Sequence, residues 1–218
     1  MDMNIIKSQS GRSMIEMLGV LAIIGVLSVG GLVGYSKAME RYRINETINQ
    51  ISYIVHNTQD LFKNQRNYYG ELSDQWVVMS NANYANRKLA DKAKLFPSSL
   101  VKNGYKNLFG GDIILYGTPR FKAGDKQSFI IGVLNIPQEA CIELATRNWS
   151  SSQGLLGMRV YGKEIYPYGL RDSYSYTCTS KYSDGDMLVC PKDIPVTIDH
   201  ATTACSTEGS NSLYWKFY

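Results

Sequence analysis

The sequence predicts an α+β chain. One long N-terminal α-helix, apolar in its first half and amphipathic in its second, packs on an antiparallel β-sheet with a disulfide-bonded C-terminal region. Three observations predict it. Met14 to Tyr35, MIEMLGVLAIIGVLSVGGLVGY, holds 22 residues and one charge, Glu16. Behind it Ile44, Ile48, Ile51, Val55, Thr58 and Phe62 recur at spacings of 4, 3, 4, 3 and 4, one face of a helix, with Ile54 and Leu61 widening the stripe. All the cysteines, Cys141, Cys178, Cys190 and Cys205, fall late in the chain, among segments that read as strands.

The apolar run comes first. At 1.5 Å per residue it makes a helix about 33 Å long, the thickness of a bilayer core. A cleaved secretory signal would need a shorter core and a small-x-small site after it, and neither is present. A plain signal anchor fits the length but leaves Glu16 unexplained. A carboxylate in an apolar span costs several kcal/mol at the bilayer centre and less near an interface. Glu16 stands three residues in, so snorkelling is the bland reading and a partnered charge the functional one.

Composition narrows the function. Apolar residues make up 44% of the 218 and charged residues 19%, which suits a membrane segment joined to a globular domain. Twenty-three Lys and Arg against 19 Asp and Glu leave +4, spread without a basic run, so no specific nucleic-acid ligand is expected. The two histidines, His56 and His200, are too far apart for a His-rich metal motif. No Ser/His/Asp set, P-loop or HExxH is present, and no enzyme activity or cofactor is expected. Asp184-Gly185-Asp186 lacks the further ligands of a calcium loop and reads as a solvated turn.

The residues before the run carry a resemblance. MDMNIIKSQSG is a short polar leader ending in Gly11, followed by Arg12-Ser13-Met14-Ile15-Glu16. Glycine, then an apolar helix with glutamate at its fifth position, resembles the processing site of type IV pilins and type II secretion pseudopilins. The resemblance implies cleavage after Gly11 by a prepilin peptidase and N-methylation of the new Arg12 amine, although the family usually has an apolar residue where Arg12 stands. It also implies that Glu16 meets the Arg12 amine of a neighbouring subunit during assembly. The expected organisation is a leader at 1–11, a transmembrane and assembly half-helix at 12–35, and a globular domain at 36–218. Within that domain the amphipathic half-helix covers 36–66, an αβ-loop 67–111, and the sheet and disulfide region 112–218.

Downstream features follow in order. The helix is expected from Met14 to about Gln65, roughly 78 Å long. Gly30, Gly31 and Gly34 weaken it, at about 0.8–1 kcal/mol each relative to Ala, unless they allow close helix packing. A short helix is expected near Asn83 to Leu95, ending at Phe96-Pro97. Asn107-Leu108-Phe109-Gly110-Gly111 is similar to the turn that leads many pilins into their first strand, with Gly110 and Gly111 free to take positive φ. Strands are expected at Asp112–Tyr116 and Ser128–Ile136. A helix opens at Pro137 with acidic residues beside it and carries Cys141. Leu213 to Tyr218 alternates as a strand does.

A second helix between strands, with a cysteine on it, resembles type IVb pilins, whose sheet order is nonsequential. An even set of cysteines without C-x-x-C or a nearby His reads as disulfides in an oxidising compartment. That outweighs the positive charges at Lys37, Arg41 and Arg43, which would favour the reverse topology to Lys7 and Arg12. The expected pairs, of three possible connectivities, are Cys141 with Cys205, tying a helix to the final strand, and Cys178 with Cys190.

The resulting expectation is a structural subunit, the major pilin of a type IV pilus, held in the inner membrane before it joins a helical homopolymer on the cell surface. The implied partners are other copies of itself, the prepilin peptidase, an assembly ATPase with an inner-membrane platform protein, and an outer-membrane secretin. The alternatives are a minor pilin or pseudopilin and, further off, an uncleaved signal-anchored periplasmic protein.

Overall fold

The computed structural model describes residues 13–64, 68, 72, 78–118, 128–149, 152, 154–162, 179–207 and 210–218. Gly11, Arg12 and Cys178 lie outside the described residues. The chain divides into two compact units, residues 1–42 and 43–218.

Helix α1 spans Met14–Phe62 and ends three residues before the expected Gln65. Within the second unit it buries Ile44, Ile48, Ile51, Ile54, Val55, Thr58 and Phe62, the face its spacing defines. Leu61 does not join that face: it is 44% exposed, one position off the buried stripe. Thr47 and Thr58 are buried beside the apolar residues because each hydroxyl donates back to a helix carbonyl, Arg43 O at 2.8 Å and Ile54 O at 2.7 Å.

Among the described residues of the αβ connection two helices follow Asn83, where one was expected. Helix α2 covers Ala85–Ala93, and α3 covers Ser98–Lys102 behind Pro97. Lys94 closes α2 in the left-handed conformation, φ 52°, and sends its N–H back to Ala90 and Asp91 carbonyls. Arg87 pins this layer. Its guanidinium donates to Asp91 at 2.9 Å and to the Met79 carbonyl at 2.8 Å, and lies 3.5 Å from the centroid of the Tyr105 ring. The buried Tyr105 hydroxyl donates to Asp91. Burial first, and then that hydrogen bond, push the phenol up to about 12.

Asn107 fixes the entry to the sheet. Only 1% exposed, it accepts from the N–H groups of Phe109 at 2.8 Å and Gly111 at 3.1 Å and donates to the Leu134 carbonyl at 2.8 Å. Gly110 takes φ +88°, as expected, but Gly111 does not take positive φ. Gly111 is needed for close approach instead: a Cβ there would stand 1.8 Å from the Leu134 carbonyl oxygen.

The strands are β1 Ile113–Thr118, β2 Ser128–Ile136, β3 Leu155–Tyr161, β4 Lys181–Ser183, β5 Asp186–Val189 and β6 Asn211–Phe217. They form one antiparallel sheet in the order β1-β2-β6-β3-β5-β4, so the last strand lies between the second and third. Alternation divides β6: Leu213, Trp215 and Phe217 join the core that contains the α1 stripe, while Tyr214 joins a second cluster with Ile114, Tyr116 and Ile130. An aromatic chain links α1 to the sheet, Phe62 to Tyr68 at 5.1 Å, Tyr68 to Phe129 at 4.9 Å and Phe129 to Phe217 at 5.7 Å.

Helix α4 covers Gln138–Thr146, and α5 covers Ile198–Ala204 with Thr197 accepting from the His200 N–H at 3.4 Å. Cys141 on α4 is bonded to Cys205, with 5.9 Å between Cα atoms. Cys205 is the C-cap of α5 rather than a residue of the final strand, so the bridge ties helix to helix. Closing a loop across 64 positions restricts the unfolded chain by about 4 kcal/mol in the chain-entropy picture. Cys190, just after β5, is also disulfide-bonded, and its expected partner Cys178 lies outside the described residues.

Candidate functional site: an apolar helix face without a core

Ser13 opens α1, its carbonyl accepting from the N–H groups of Glu16 at 2.9 Å and Met17 at 3.2 Å. Glu16 therefore sits in the first turn, where the helix dipole favours a carboxylate. It makes no ion pair among the described residues, and the Arg12 expected to supply the amine lies outside them.

From Met14 onward the side chains face outward all round the helix. Every residue from Ser13 to Ala38 is exposed, including Met14, Leu21, Ile23, Leu27 and Leu32. The most apolar 18-residue window of α1 has mean hydropathy 2.3 and none of it is buried, so by length and composition the helix can cross a membrane. The two serines are compatible with such a setting. Ser28 donates to the Ile24 carbonyl at 2.7 Å and Ser36 to Leu32 at 3.0 Å, so neither hydroxyl needs water. Gly30, Gly31 and Gly34 are helical, and a Cβ at any of them would meet nothing within 4 Å. Among the described residues their smallness serves no contact.

A contiguous apolar surface of this extent is far larger than the patches soluble monomers expose, and it marks a surface made to be covered. The other sites weighed from sequence are ordinary. His56 is exposed on α1. His200 lies under the Tyr182 ring, centroids 3.9 Å apart and nearly parallel. Asp184-Gly185 forms the β4–β5 turn with Gly185 at φ 71°, and Asp186 is held by Arg159 at 2.8 Å. Among the described residues no group of three His, Cys, Asp or Glu could hold a metal ion.

Sequence reasoning missed one surface feature, a groove of about 440 Å³ lined by Tyr53, Phe96 and Val101. Its walls come from three helices separated along the chain, so no local pattern announces it.

No curated protein sequence matches the chain. Among the solved structures similar to it are two pilins. One is TcpA, a type IV pilin from Vibrio cholerae El Tor biotype, at TM-score 0.46 and 16% identity, over 79% of this chain and 99% of that one. The other is a type IVb pilin from Salmonella typhi, at TM-score 0.41 and 18% identity, over 77% and 94%. The family model described as PilS N terminal matches residues 41–217, and the chain belongs to that family.

Proposed function

We propose that the chain is the major subunit of a type IV pilus, cleaved after Gly11, methylated at the Arg12 amine, and polymerised through α1. The observation that carries this reading is the wholly exposed apolar half of α1, interrupted by one carboxylate in its first turn, on a chain whose other unit has a complete core.

Burial of apolar surface, at about 25 cal/mol per Å², drives the association. Cleavage frees a positive amine four residues from Glu16, and the amine of an incoming subunit meets the Glu16 carboxylate of one already in place. In a poorly hydrated helix bundle that attraction is far stronger than in water, and a lone carboxylate is penalised, so the pair sets axial register. Gly30, Gly31 and Gly34 make the stretch from Ser28 the part of the helix that loosens when subunits pack. The contact is head-to-tail, so it propagates into an open helix. The prepilin waits in the inner membrane, the prepilin peptidase processes it, an ATPase and a platform protein drive assembly, and a secretin passes the filament to the cell surface.

Intact mass of the protein in the sheared surface fraction, before and after reduction, tests the proposal. The expected species begins at Arg12, one methyl heavier, and gains four hydrogens on reduction of two disulfides. A full-length chain found only in membranes overturns it. Abundance in that fraction separates a major subunit from a minor one.

A further inference from the structure

A second hollow, of about 310 Å³, opens between the C-terminal part of α1, the segment after α4 and the end of β6. Its floor is apolar and firmly placed. Ile51, Val55, Trp149 and Phe217 are all buried. The Trp149 indole N–H donates to the Leu144 carbonyl at 2.8 Å, and its ring packs on Trp215 with centroids 5.0 Å apart. Phe217 stacks on Phe129 at 5.7 Å. A floor fixed in this way needs no ordering when a ligand settles on it.

The rim is polar. Ser52 and His56 stand one turn apart on α1, both exposed, and Ser152 faces the hollow from beyond α4. Ser28, Ser36, Thr47 and Thr58, the other serines and threonines within α1, each donate to the carbonyl four residues back. Ser52 makes no such bond, which leaves its hydroxyl for the hollow. The His56 ring and the Ser152 hydroxyl likewise have no hydrogen-bond partner among the described residues. Gln59 has a structural task instead, donating to the Tyr218 carbonyl at 2.9 Å.

Charge narrows the ligand. Among the described residues no Lys, Arg, Asp or Glu lines the hollow. Asp60, next to Gln59, is engaged by Lys63 at 2.7 Å. A phosphate or carboxylate ligand would need a cation here, and an amino acid would need both signs. A hydroxyl and a neutral imidazole each donate and accept, as alcohol groups require, whereas Lys and Arg only donate and ionised Asp and Glu only accept. The volume is at the small end for ligand pockets, enough for one ring and not for a chain. An apolar floor under a rim of neutral groups complements a ring with C–H bonds on its face and hydroxyls at its edge.

We propose that the hollow beside Ser52 and His56 binds one neutral pyranose ring, seated on Val55, Trp149 and Phe217, with its hydroxyls bonded to Ser52, His56 and Ser152. The site lies wholly within the 43–218 unit and does not rest on the pilus reading. Full-length chain, in a detergent without a sugar headgroup, is titrated with the methyl glycosides of glucose, galactose and N-acetylglucosamine. Saturation-transfer NMR of the ring protons and tryptophan emission report binding. At least one of the three is expected to bind saturably, with a dissociation constant of about 1 mM. Ser52→Ala and His56→Leu are each expected to weaken it about two- to tenfold, the loss of one hydrogen bond, and the pair about tenfold or more. Asn49→Ala, exposed on α1 outside the hollow, should leave affinity unchanged. Ser52→Phe, which fills the hollow from its rim, gives an independent loss of binding. Each variant is first shown to keep the Cys141–Cys205 bond and the wild-type unfolding midpoint. Glucose 6-phosphate is expected to bind no tighter than the methyl glucoside. No saturable binding by any of the three glycosides, wild-type affinity in the Ser52 and His56 variants, or tighter binding of the phosphate overturns the inference.

Discussion

From Ser13 to Ala38 every residue is exposed, and from Ile44 to Phe62 the same helix buries nine residues against its own domain. Both stretches are rich in Ile, Leu and Val, so hydrophobicity alone does not separate them. Distribution does. Apart from Tyr53 and Leu61, the second half confines its large apolar residues to a stripe and leaves Arg43, Asn49 and His56 outside, which satisfies one partner on one side. The first half is apolar all round, and a single sheet could cover only part of it. A helix of that kind is complete only when surrounded on every side.

Four measurements break or sharpen that contrast. Glu16→Ala is expected to leave membrane insertion intact and to cut filament recovery on the order of 100-fold or more, because one partner of a poorly hydrated ion pair costs about 3–5 kcal/mol to remove. Normal filaments in the sheared fraction of that mutant would refute a register role. Ile51→Ala, in the buried half at 1% exposure, is expected to destabilise the domain by about 2–5 kcal/mol in urea unfolding of the full chain in detergent.

The third prediction concerns pH. The Tyr105 phenol is raised to about 12 from an unfolded value of 10. Its contribution is therefore complete below pH 10 and is lost as pH climbs from 10 through about 12, because the unfolded chain ionises first. Denaturation midpoints should fall more steeply over that interval for the wild type than for Tyr105→Phe; parallel profiles would contradict the buried hydrogen bond to Asp91. The smallest effect belongs to Leu27→Ala, in the exposed half, which should change domain unfolding by less than about 0.5 kcal/mol. A loss as large as that of Ile51→Ala would show that the first half is already covered within one subunit.

Elements with a period and a clear boundary were legible in the sequence. The α1 stripe, β2, the Pro137-led α4 and the alternation of β6 all belong to this group, while the Asn107 turn was legible through its resemblance to pilin turns. Glu16 was legible for the opposite reason, as one charge in a run that should have none. Other elements left no such trace. Strand β3 is interrupted near Gly157, at φ 154°, where its register against β6 shifts, and β4 is three exposed residues. Helices α3 and α5 are five and seven residues long, too short for periodicity to show. Gly111 was assigned the right residue type for the wrong reason, since the Leu134 carbonyl on β2, and not its own φ, forbids a side chain. The groove beside Tyr53 exists only once three helices have met.

The position of β6 has a consequence for biogenesis. Residues 211–217 pair with both β2 and β3, so before they arrive the sheet consists of a β1-β2 hairpin and a β3-β5-β4 piece with two open edges facing each other. If the chain is threaded across a membrane from its N-terminus, as the proposed function requires, this strand arrives after the others and those edges wait unpaired in the interval. Translocation rather than intrinsic folding speed would then time completion of the domain. A chain stopped before Asn211 should accumulate as protease-sensitive halves, prone to pair with the free edges of other nascent chains.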